Sequence, residues 1–151
     1  MSKNLLKWWL LVVLTASGIV IANYFNLIFF VWENDFTKLS FIIFAIFVAS
    51  SSVIGFKMVS LRKGRRNKVS WEKEWFAAES MLSFGLLGTV IGLLYVFTSA
   101  FEDLDIGDVQ AAQEVITIMA SGMGSAFLTT AVGIVFSTLL KSQLVLAEDV
   151  A

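Results

Sequence analysis

Hydroxyl groups set in apolar sequence are the first residues of this chain that could do chemistry. Thr89 stands in FGLLGTVIGLLYVF (84–97), and Ser125, Thr129, Thr130 and Ser137 stand in ASGMGSAFLTTAVGIVFSTLL (120–140). At membrane depth such hydroxyls can line a water wire, or they can bond their own i−4 carbonyls. Apart from Tyr95, no ionisable residue lies between Ser80 and Ser99, and none lies between Met119 and Leu140. An ion path inside a membrane usually needs an acidic relay. If this chain conducts protons, the titrating carboxylate is expected from another chain. Histidine and cysteine are absent, which removes disulfides, Cys/His metal sites, and Ser-His-Asp or Cys-His catalysis. GLLGTVIG lacks the Lys-Ser/Thr of a phosphate loop. The expectation is a protein that is not an enzyme and has no cofactor.

The same two segments carry stripes of small residues. Gly85, Gly88, Thr89 and Gly92 follow i, i+3, i+4, i+7 spacing, opposite Phe84, Leu86, Val90, Leu93, Leu94 and Phe97. In the later segment Gly122, Ala126, Thr129, Thr130, Gly133 and Ser137 line one side. Glycine costs a helix about 1 kcal/mol against alanine in water. In lipid, where tails are as apolar as leucine, small residues instead let helices approach closely. Two readings follow. The stripes are a helix-packing seam, or they line a shared space filled by a partner helix or a water wire.

Four apolar segments must position these residues. They run from about Trp8 to Trp32, Phe41 to Leu61, Phe76 to Phe97 and Gly122 to Leu146. The chain of 151 residues is 58% hydrophobic, with mean hydropathy +0.82. Each segment can supply the roughly 20 residues a helix needs to cross the bilayer. Backbone groups must satisfy themselves there, which dictates helices. Residues 109–119 alternate between an apolar face (Val109, Ala112, Val115, Ile116, Met119) and a polar one. This predicts a short amphipathic helix on the outer surface, ending in a turn at Gly122 and Gly124. The expected fold is an all-α polytopic membrane protein of four transmembrane helices plus that surface helix. Residues 1–75 form two N-terminal helices and a basic loop, and 76–151 form the striped pair with its acidic connection. The N-terminal run is expected to stay as a membrane helix rather than be cleaved as a signal.

Charge sets the orientation. RKGRRNK (62–68) is the most basic stretch, whereas WENDFTK (32–38) and FEDLDIGD (101–108) are acidic. The positive-inside rule places both termini and RKGRRNK in the cytoplasm, with both acidic loops outside. Trp8, Trp9, Trp32, Trp71 and Trp75 all fall near predicted helix ends, where aromatic belts sit. RKGRRNK is read as facing anionic lipid headgroups rather than nucleic acid. Glu102, Asp103, Asp105 and Asp108 could gather cations at an outer mouth, or form an ordinary solvated loop. Glu79 could guard the inner exit, pair with Lys73, or meet water.

GLLGTVIGLLYVF followed by ASGMGSAFLTTAVGIVFSTLL resembles the last two membrane helices of the MotA/TolQ/ExbB proton-channel family, over roughly residues 80–141. The resemblance implies a homopentameric ring in the bacterial inner membrane. Its last two helices would line a pore holding a dimer of a MotB/ExbD/TolR-like subunit, whose single helix carries the essential aspartate. Protons, or sodium ions, would drive rotation. Thr89 matches the threonine of the family's GLLGT motif and Thr130 the threonine of its final helix. Ser125 stands where the TolQ and ExbB branches commonly have a glutamate. The loop between the second and third spans is short, unlike the large cytoplasmic domain of flagellar stators. A non-conducting oligomeric scaffold and a holin-like pore are the alternatives.

Overall fold

Without proline to interrupt them, long apolar runs satisfy their backbone groups as helices. The computed structural model describes residues 3–35, 37–62, 70–101 and 109–148. These form α1 (Lys3–Tyr24), α2 (Leu27–Asn34), α3 (Leu39–Arg62), α4 (Glu72–Phe101) and α5 (Val109–Glu148), with no strand among the described residues. Four are long and apolar enough to cross a membrane: α1 over Leu6–Tyr24, α3 over Leu39–Leu61, α4, and α5 over Ala112–Glu148. The chain is a multi-pass membrane protein. The start of α4 and the ends of α3 and α5 meet at one end of the bundle, where Lys57 pairs with Glu74 and Trp75 bonds Glu148. This is the termini end of the bundle, and the opposite one is the loop end.

The first apolar run is not one helix through Trp32. It breaks at Phe25–Asn26, where Asn26 adopts φ 55°, ψ 21°. Asparagine tolerates this left-handed conformation better than most residues. The Phe30 N–H then donates to the Asn26 carbonyl at 2.9 Å and starts α2. The Lys38 ammonium holds α2 to the start of α3, donating to the Trp32 carbonyl at 2.6 Å and lying 3.9 Å from the centre of the Trp32 ring.

The last run also differs from expectation. The amphipathic segment is helical, but no turn separates it from the membrane span. Gly122 and Gly124 lie inside one helix of 40 residues. At 1.5 Å per residue it is about 60 Å long, roughly twice the hydrocarbon thickness. The core gathers towards the termini end, where Ile54, Met58, Met81, Leu140 and Leu144 are fully buried. Trp8 and Trp71 belong to this core rather than to an interfacial belt, while Trp9 and Trp32 are exposed. Gly55 makes room for Trp8: a Cβ there would meet Trp8 Cη2 at 2.6 Å.

Candidate functional site

The stripes on α4 and α5 face each other, and this pair shares the most extensive helix–helix interface among the described residues. The helices run antiparallel in one register. A Cβ on Gly85 would lie 3.2–3.3 Å from Thr129 O, Gly133 Cα and Thr130 Cα. One on Gly133 would meet Met81 O at 2.9 Å and Gly85 Cα at 3.0 Å. Towards the loop end Gly88 meets the Thr129 side chain, Gly92 meets Ala126 and Gly122 meets Val96. The glycines permit backbone-to-backbone contact, which recovers in packing what they lose in helix propensity.

Two hydroxyls bridge this seam. Thr89 Oγ1 and Thr130 Oγ1 are hydrogen-bonded to each other. The Thr130 hydroxyl also reaches the Gly85 carbonyl at 2.9 Å, and Thr89 Oγ1 lies 3.2 Å from both the Gly85 and Ala126 carbonyls. Each hydroxyl has one proton. If Thr130 donates to Gly85, Thr89 can donate to Thr130 or to Ala126, so the pair can reorient without breaking the seam. Both residues remain partly accessible.

The other hydroxyls predicted beside them point elsewhere. Ser137 is buried and donates to the Ala78 carbonyl at 2.7 Å. Thr129 is 1% exposed and donates to Asp35 Oδ1 at 3.2 Å. Ser125 lies within α5, but its side chain is outside the described residues, as are Glu102, Asp103, Asp105 and Asp108. Glu79 is exposed. An ion pair joins Lys57 of α3 to Glu74 of α4.

Asp35 is the acid that the sequence reading did not single out. It stands between α2 and α3 and is 1% exposed. Its Oδ1 accepts from the Thr37 N–H (3.1 Å), the Thr37 hydroxyl (2.8 Å) and the Thr129 hydroxyl, and its Oδ2 accepts from the Ser40 N–H at 2.9 Å. Asp-x-Thr before an apolar run is a capping signature, and that signal was available in the sequence. Burial raises its pKa, but hydrogen bonds from Ser40, Thr37 and Thr129 outweigh burial and hold it below the ordinary 3.8. The folded chain therefore favours the ionised carboxylate. Its stabilising contribution is complete above the ordinary value and is lost as pH falls through the lowered one. Asp35→Ala should cost about 2 kcal/mol. Thermal unfolding in detergent should show a constant gap from wild type between neutral pH and about pH 5. The gap should narrow only in stronger acid.

Residues 76–142 match the MotA/TolQ/ExbB proton channel family. The α4–α5 pair carries this similarity. Nearly all of α4 and most of α5 fall within the matched MotA/TolQ/ExbB segment, including the glycine register and the Thr89–Thr130 bridge. No curated protein and no solved structure matches the chain. α1, α2, α3 and Asp35 lie outside the matched residues.

Proposed function

We propose that this chain is the ring-forming channel subunit of a motor driven by ion-motive force. Protons or sodium ions would pass along the face marked by Thr89 and Thr130. A dimer of a single-helix, MotB/ExbD/TolR-like partner would supply the ion-binding aspartate, and five copies of this chain would surround it in the bacterial inner membrane. The termini end would face the cytoplasm and the loop end the outside. The carrying observation is the α4–α5 pair itself, a proton-channel-family segment whose two bridging hydroxyls can exchange hydrogen-bond partners. Neither hydroxyl can hold a charge, so a carboxylate from a partner completes the path. Across 100 mV each ion supplies roughly 2.3 kcal/mol, enough for a few ions to move a helix pair.

The second reading is a non-conducting oligomeric scaffold, in which the stripes serve only as packing seams, as the glycine contacts within one chain do here. Stoichiometry in mild detergent, alone and with the product of the neighbouring gene, separates the two. A pentamer that takes up two copies of an aspartate-bearing helix supports the motor. A dimer or tetramer without such a partner supports the scaffold. In proteoliposomes holding the complex, Thr130→Val is expected to abolish partner-dependent ion uptake without altering assembly. Full uptake by this variant would overturn the ion path.

A further inference from the structure

We propose that Asp35 is a positioning residue for the Thr89–Thr130 pair: its carboxylate holds Thr129, and through Thr129 it fixes the rotation of α5 that turns Thr130 towards Thr89. The glycine seam alone does not set this rotation. Small residues give close contact but little direction, and a smooth surface can turn or slip. Thr129 supplies the direction from two sides. Its methyl group occupies the space beside Gly88, where a Cβ would stand 2.5 Å from Thr129 Cγ2. Its hydroxyl is aimed at Asp35 Oδ1. A helix turns by about 100° per residue, so fixing Thr129 fixes the direction of Thr130.

Asp35 suits this task because it is itself immobilised. The Thr37 and Ser40 N–H groups and the Thr37 hydroxyl tie it to the start of α3, so the position of α3 is carried across to α5. Four donors converge on it, and an ionised carboxylate accepts all four without offering a competing donor. A charged acceptor also makes the Thr129 bond stronger than a neutral one would. The consequence for ion movement rests on the channel reading above, but the placement itself does not.

The chain has no cysteine, so a Thr89→Cys, Thr130→Cys pair reports this facing directly by disulfide formation in membranes. With Asp35 and Thr129 intact, oxidation is expected to cross-link most of the protein. Adding Thr129→Ser keeps the hydroxyl and should preserve the yield. Adding Thr129→Val, which keeps the shape and leaves the other three bonds of Asp35 in place, should lower the ratio of linked to free chain about tenfold. Asp35→Ala should do the same, and Thr129→Val keeps the test decisive if the alanine variant misfolds. Cross-linking at the parent level in Thr129→Val would overturn the proposal. A fall there, combined with normal ion uptake by Thr130→Val in the cysteine-free chain, would uphold the placement and overturn the channel reading alone.

Discussion

Gly133→Leu is expected to leave little folded, monodisperse protein in mild detergent. A side chain at this position meets Met81 O and Gly85 Cα at 2.9 and 3.0 Å. Both are backbone atoms, so no rotamer change relieves the contact and α4 must move away from α5. Overpacking costs about 3 kcal/mol at the upper end of its usual range. Separation would also break the Thr130 bond to Gly85 and the Thr89–Thr130 bridge. Gly124→Leu is the matched control, because a Cβ at Gly124 meets nothing within 4 Å. Size-exclusion profiles and thermal unfolding of the two variants should differ sharply. Similar behaviour would mean that the close backbone approach at Gly133 is not what holds α4 to α5.

The second large effect lies at the termini end. Lys57→Met should destabilise the chain by about 3–5 kcal/mol, because it leaves a buried carboxylate without its counter-charge. Glu74 is 5% exposed, its Oε1 lies 2.6 Å from Lys57 Nζ, and its Oε2 has no hydrogen-bond partner among the described residues. Lys57 also donates to the Ser70 carbonyl and lies 5.3 Å from the Trp71 ring centre, so its loss also loosens the start of α4. The double variant Lys57→Met, Glu74→Met should recover most of the loss, since replacing both charges with apolar groups removes the desolvation cost as well. Thermal unfolding of the two single variants and the double variant gives the coupling directly. Additive losses would show that the pair contributes little beyond its separate residues.

What the sequence disclosed, and what it concealed, follow from how local each property is. The α4 and α5 stripes were legible because small residues at i, i+3, i+4, i+7 define a helix face whatever it packs against. Four membrane spans were legible because hydropathy adds up along a segment. The break at Asn26 was not, since a hydropathy scale carries no information about φ. Gly122 and Gly124 resembled a turn, yet glycine inside a membrane helix is well tolerated, and α5 runs straight through both. Asp35 was hidden for a different reason. Its place in an acidic stretch suggested solvent, and its decisive contact is with a residue 94 positions away. The Lys57–Glu74 pair, 17 positions apart, was masked by the sequence neighbours Lys73 and Glu79.

The glycine seam also has a mechanical meaning. Two helices whose backbones touch from Gly85–Gly133 towards Gly92–Ala126 have no compressible layer of long side chains between them. Such a pair resists bending as a single stave does. The deformable surface lies on its flanks, where Leu86, Val90, Leu94, Phe127 and Ile134 are exposed and their side chains can exchange rotamers against whatever abuts them. Displacement of this pair is therefore borne at its boundary with other molecules, and the stave transmits force along its length without storing it.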